Sequence, residues 1–132
     1  MSESDVQQLI AEVAESFGGG IDTLLAHYAD PVVIAGPDST QTLDHGVASG
    51  MFEQMRSQLR EQGFDRTQIR SLNVSMLGAD VALADATLDR RRSDGSLLET
   101  IHAGYLCRRR EGRWLIVALA PYAPPTEQTT NE

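Results

Sequence analysis

The stretch HYADPVVIAGPDST, His27 to Thr40, reads as a helix running out into a strand. Leading into it, Ile21, Leu24, Leu25 and then Tyr28 share one face of a short second helix, which Pro31 ends. Val32 to Ala35 is apolar and largely β-branched, and Gly36-Pro37-Asp38 is a turn into a second short strand, Thr40 to Leu43.

The flanks extend the pattern. Val6, Leu9, Ile10, Val13 and Phe17 fall at helical spacing behind a capping-box-like Ser2 and Asp5, and Gly18-Gly19-Gly20 stops that first helix. Downstream, Asp44 is placed to cap a third helix with Val47, Met51, Met55 and Leu59 on its apolar face, closed by Gly63. Thr67 to Leu77, Val81 to Arg92, Leu97 to Arg109 and Arg113 to Pro121 then alternate as strands, joined by GAD, DG and EG turns. Three N-terminal helices and a long antiparallel meander predict an α+β domain over 1–122, with helices covering one sheet face. The remaining polar, proline-bearing residues, 123–132, are expected to be disordered.

Composition narrows the function classes. The 132 residues suit one core, and a net charge of -8 sets the chain against nucleic acid and anionic membranes. All 11 basic residues are arginine, so Schiff-base chemistry on a lysine side chain is excluded. One cysteine, Cys107, forbids an internal disulfide and fits a reducing compartment. The opening MSESDVQQLI has no basic stretch before an apolar run, and no segment is long and apolar enough to span a bilayer. A cytoplasmic chain is expected.

The order of elements, the stretch YADPVVIAGP and the closing pattern DG followed by GYLCRRREGRW resemble the NTF2-like superfamily, in its ketosteroid-isomerase and SnoaL-like branch, from about Ala11 to Pro121. The resemblance implies a cone-like domain in which helices and a curved sheet enclose one apolar pocket, often as a homodimer formed through the sheet. It also implies a general-base aspartate where Gly36 stands, an oxyanion-donating tyrosine near Glu12, and a protonated aspartate at Gly104, or at Tyr105 with a one-residue shift. None of those residue types occupies the first three places, so ketosteroid isomerisation itself is not expected.

Other groups could supply chemistry. If Asp94-Gly95 is a two-residue turn, Thr87 lies opposite His102 and Asp85 opposite Gly104. One face then carries Asp85, Thr87, Asp89, Thr100 and His102, and the other Ala82, Ala84, Ala86, Leu88, Ile101, Ala103, Tyr105 and Cys107. A three-residue turn would shift the pairing and mix the two sets. The gapless family match puts the polar face inside, where His102 oriented by Asp85 or Asp89 would be a general base. The plainer reading leaves that face to solvent or a dimer partner. The alanine-rich face either borders a cavity, with Tyr105 supplying a hydroxyl, or lets a helix pack closely. Tyr28, Phe52 and Met55 are candidate pocket residues on helices, or simply core.

The expectation is a small-molecule pocket for an apolar organic ligand. His102 and Asp85 would carry cofactor-free acid–base chemistry of an isomerase, dehydratase, cyclase or epoxide-opening type; the alternative is a non-catalytic binding or dimerisation module. No metal or cofactor is expected. The three histidines and Cys107 lack metal-ligand spacing, Gly18-Gly19-Gly20 follows no strand, and Cys107 reads as inert core. Arg90-Arg91-Arg92 and Arg108-Arg109-Arg110 fall at opposite ends of one hairpin, about 35 Å apart, and read as solvated strand ends that make no continuous basic track.

Overall fold

The computed structural model describes residues 2–123, the side chain of Ser2 excepted. The Ser2 half of the expected capping box and residues 124–132 of the expected tail lie outside that description. The elements run α1 (Ser2–Ser16), α2 (Ile21–Leu25), β1 (Tyr28–Ala35), β2 (Thr40–Leu43), α3 (His45–Glu61), β3 (Phe64–Met76), β4 (Val81–Arg92), β5 (Leu97–Arg110) and β6 (Arg113–Tyr122). Two helices therefore precede the first hairpin and the third follows it.

The six strands form one sheet in the order β2-β1-β6-β5-β4-β3. The sheet is mixed, which corrects the all-antiparallel expectation. Helix α3 carries the chain from the β1–β2 hairpin to the far edge, and the β3–β6 meander returns until β6 lies parallel to β1. The tip of the last hairpin is a two-residue turn with Glu111 (φ 53°) and Gly112 (φ 78°) both left-handed, which suits the right-handed twist of its strands.

Tyr28 does not end a helix; it begins β1. Helix α2 closes after little more than one turn, too short to hold itself against competing strand pairing. Ile116 N–H donates to the His27 carbonyl at 2.9 Å, and Tyr28 stands beside Ile116 in the ladder. In α3, Asp44 does cap the helix, accepting from Val47 N–H at 2.9 Å. The buried face is Ala48, Phe52 and Leu59, with Met55 packed beside it, while Val47 is 56% exposed. The apolar stripe is thus set by the 3.6-residue turn rather than by a heptad through Val47.

The helices cover one face of the sheet. Val6, Leu9, Ile10 and Val13 of α1 are buried, and each such aliphatic side chain stabilises the fold by roughly 1.5–3 kcal/mol. Beneath the helices lie Ala82, Ala84 and Ala86, all without solvent contact. Small side chains there let the helices approach the strands closely, and one region of the interior stays unfilled.

Candidate functional site

The β4–β5 register is the one that a two-residue turn would produce: Thr87 faces His102 and Asp85 faces Gly104. The device is different. Arg92 N–H donates to the Ser96 carbonyl across a three-residue loop, Ser93-Asp94-Gly95, and Asp94 Oδ1 accepts from Ser96 N–H at 2.8 Å. A register shift between Arg90 and Arg91 then restores the pairing. The two faces keep their separate compositions, but their placement reverses the family match: the alanine face is inside, and the polar face is outside.

On the outer face Asp85 and His102 do not meet. Asp85 Oδ1 accepts from the Tyr122 hydroxyl at 2.6 Å, and Thr87 Oγ1 shares a hydrogen bond with His102 Nδ1 at 3.2 Å. The His102 and Tyr122 rings lie against one another, 5.6 Å between centroids, so Tyr122 stands between the two groups. Asp89 is taken as well, by Thr100 Oγ1 at 2.8 Å and by Arg70 Nε at 3.1 Å. The reason is alternation. Odd-numbered β4 residues share one face, and the inner face was claimed by the alanines on which the helices pack.

On the inner face a cavity of about 250 Å³ lies between helices and sheet. Val13 and Ala14 of α1, Phe17 just beyond its end, Leu24 of α2, and Phe52 and Met55 of α3 form its roof. Tyr28 enters from β1, Thr67 from β3, Leu88 and Arg90 from β4, Ile101, Ala103 and Tyr105 from β5, and Leu119 and Pro121 from β6. All four expected ligand contacts, Tyr28, Phe52, Met55 and Tyr105, are thereby brought together, whereas His102 and Asp85 are not among the lining residues. Of the alanines, Ala103 borders the cavity, while Ala82, Ala84 and Ala86 pack against other side chains. An open groove between α1 and β3 adjoins it and shares Ala14 and Thr67.

The fold aims Tyr28 deliberately. Strand β1 shifts register between Tyr28 and Val33, freeing carbonyls from the ladder. His45 Nε2, in the first turn of α3, lies 3.0 Å from the Tyr28 carbonyl and 3.1 Å from that of Ala29. Carbonyls only accept, so Nε2 carries the proton and donates to both. The Tyr28 ring then packs on Phe52, 5.4 Å between centroids.

The titratable groups of the wall are held neutral, apart from Arg90. Burial pushes the Tyr28 phenol well above its usual range, with Tyr105 and Cys107 adding to the effect. Burial likewise takes Tyr105 up to about 12, against a downward pull from Arg90. Cys107, buried behind them, is also raised to about 12 by desolvation, which keeps it an unreactive thiol at neutral pH. Near pH 7 the two phenols are hydrogen-bond donors, and among the described residues no carboxylate or imidazole lines the cavity.

The profile of the family described as NTF2-like protein (DUF6841) matches residues 4–124. The chain belongs to this NTF2-like family. Solved structures agree on the fold. An NTF-2 like protein of unknown function from Shewanella oneidensis superposes with a TM-score of 0.75 at 15% identity, covering 92% of this chain and 98% of that one. An NTF2-like protein of unknown function from Pseudomonas putida gives 0.74 at 20% identity, covering 93% and 87%. An NTF2-like protein with a cystatin-like fold from Novosphingobium aromaticivorans gives 0.73 at 14% identity, covering 98% and 88%. No curated protein sequence matches the chain.

Within this NTF2-like domain the two polar wall residues besides the tyrosines, Arg90 and Thr67, escaped the sequence reading. Arg90 was grouped with its neighbours as a solvated strand end, yet it shares the parity of Ala82, Ala84, Ala86 and Leu88 and therefore turns inward. Its guanidinium pairs with Glu99, and its Cζ sits 5.1 Å from the Phe17 ring centroid. Thr67 faces Arg90 directly across β3 and β4. Among the described residues no group of three or more His, Cys, Asp or Glu is placed to hold a metal, and no helix is long and apolar enough to cross a membrane.

Proposed function

We propose that this NTF2-like chain is a binding protein for a small, largely apolar organic molecule, held in the cavity between the helices and the inner sheet face. The observation that carries the reading is the cavity itself: an unfilled volume of about 250 Å³ in an interior that otherwise packs closely, walled mostly by hydrocarbon, with the polar groups of Tyr28, Tyr105, Thr67 and Arg90 among it. Its size bounds the ligand. A dry cavity of roughly 150 Å³ takes benzene, and drug-sized ligands occupy roughly 300–1,000 Å³, so a bicyclic skeleton suits this one.

Binding is favoured over acid–base catalysis by the donor set. A general base must reach the proton it removes, and His102 and Asp85 serve the opposite face. The narrower ketosteroid-isomerase reading fares no better. Gly36 and Gly104 bring no side chain, and Glu12 accepts from Gln8 Nε2 at 2.9 Å on the α1 surface. Tyr28 and Tyr105 remain as neutral donors that orient a ligand, and that would polarise one if a reaction occurs.

Tetralin, a bicyclic hydrocarbon, tests the reading by titration calorimetry. Saturable one-to-one binding is expected for the natural chain and should vanish in Ala103→Leu, which fills the cavity floor while leaving circular dichroism unchanged. Equal heats in both proteins, or none in either, would dismiss the site.

The outer face supports a second reading, that two copies associate through it. Leu83 and Tyr122 are each 42% exposed there, and Leu83, Leu106 and Ala118 form one cross-strand apolar row. Light scattering at micromolar concentration should give a dimer mass that Leu83→Glu reduces to that of a monomer; a monomer mass for the natural chain rejects it.

A further inference from the structure

We infer that the molecule held in this cavity carries an uncharged oxygen acceptor of the carbonyl type, received by Arg90 Nε–H and the Thr67 hydroxyl. The inference rests on the cavity being a ligand site and goes beyond it in naming the polar group of the ligand.

Four side chains among the described residues have a buried nitrogen or oxygen with no protein partner, and two of them, Thr67 and Arg90, line the cavity. They are direct cross-strand neighbours, so the two orphaned groups arise side by side. Buried polar groups are nearly always satisfied, which makes an adjacent unsatisfied pair in a cavity wall a sign of an absent partner.

Each of the other two guanidinium nitrogens has a partner. Arg90 Nη1 donates to Glu99 Oε2, and Nη2 reaches Met55 Sδ at 4.0 Å, a weak acceptor. Only Nε is left over. An arginine N–H can only donate, so its missing partner is an acceptor. Among the described residues no side chain of the wall offers a carboxylate, amide oxygen or imidazole, and none of its hydroxyl oxygens reaches Nε. The place of that acceptor falls in the cavity, where an oxygen of the ligand would sit. One oxygen with two lone pairs can take both Nε–H and the freely rotating Thr67 O–H.

Charge decides which oxygen. Glu99 already balances Arg90. A carboxylate ligand would leave one buried negative charge unpaired among apolar walls, and unpaired charges are expensive to bury. A ketone-type oxygen accepts the same hydrogen bonds without that cost.

Three probes on one skeleton separate the outcomes: tetralin, 1-tetralone and 1,2,3,4-tetrahydro-1-naphthoate, each titrated calorimetrically. The tetralone should bind about tenfold tighter than tetralin and tighter than the naphthoate, in line with the net worth of one or two hydrogen bonds. Thr67→Val, which keeps the side-chain volume, and Arg90→Met should each bring the ratio of tetralone to tetralin affinity down most of the way to one, whatever either does to tetralin binding itself. Tetralone no tighter than tetralin, or both weakened alike by the substitutions, overturns this inference and spares the binding site. Tightest binding by the naphthoate overturns the uncharged assignment. Failure of all three probes to bind overturns the site and the inference together.

Discussion

His45 Nε2 lies 3.0 Å from the carbonyl oxygen of Tyr28, seventeen residues away, and so ties the start of α3 to the strand that points a phenol into the cavity. Asp30 reinforces the junction by accepting from His45 N–H at 3.1 Å. Removing the imidazole strands two carbonyls where the ladder is interrupted. His45→Ala is expected to lower stability by about 1–2 kcal/mol, the usual cost of deleting a partner of buried backbone groups. Amide exchange should quicken around Tyr28 and Ala29 more than in β4 and β5. Uniform quickening would mean that the histidine acts on the whole fold and not on this junction.

Alkaline pH should expose the buried phenols. Tyr105 is pushed up to about 12 and Tyr28 well above its usual value, so the folded chain holds these protons more firmly than the unfolded chain does. Stability from that difference is complete below the unfolded phenol value of about 10 and is lost as pH climbs toward the folded values. Cys107, also near 12, should start the decline earlier, from its unfolded value of about 8.5. The chain has no lysine to confuse this window. Urea unfolding between pH 8 and 11 should show a shallower fall for Tyr105→Phe above pH 10 and a later onset for Cys107→Ala. Curves parallel to that of the natural chain would contradict the assignment.

At the acid end Asp89 carries the corresponding effect with opposite sign. It is only 4% exposed, and burial alone would raise its carboxyl. Hydrogen bonds from Thr100 and Arg70, with the charges of Arg70 and Arg91, outweigh burial and bring it below the usual range. Its contribution is therefore present above the unfolded carboxyl value and disappears as pH falls through the lower folded one. Asp89→Asn should cost about 2 kcal/mol at neutral pH, the scale of charge-assisted hydrogen bonds. That deficit should shrink once both proteins are below pH 3. A deficit that stays constant with pH would assign it to packing instead.

Much of this was readable beforehand, and the gaps have identifiable causes. Alternation in β4 and β5 separates the two faces, but it sets Thr87 opposite His102 only if Asp94-Gly95 is a two-residue turn; the pairing arises instead from a three-residue loop and a compensating register shift. Alternation could not orient the sheet, since a row of Asp, Thr and His suits a wet outer surface as well as a polar pocket; the apolar mass of α1 and α3 decides. Arg90 was legible in principle from the parity it shares with Leu88, but its arginine neighbours masked it. Thr67 was not. Strand β3 shifts register between Ile69 and Ser71, so Thr67 and Ile69 share a face with the even-numbered Leu72 and Val74, and a period-two count through that shift fails. Tyr28 was misassigned because helical spacing in Ile21, Leu24 and Leu25 runs on into the first strand residue.

Ala86 and Ala103 are cross-strand partners on the inner face, both buried, yet only Ala103 borders the cavity. The same substitution at each therefore separates packed wall from open wall. Ala86→Val must displace neighbours in a filled region, where overpacking costs about 1–3 kcal/mol. Ala103→Val extends two methyl groups toward empty volume and should leave stability within about 0.5 kcal/mol, because little has to move and apolar contacts are gained. Denaturant midpoints of the two variants decide the matter. Equal destabilisation would show that the hollow above Ala103 closes in solution, and with it the site on which ligand binding depends.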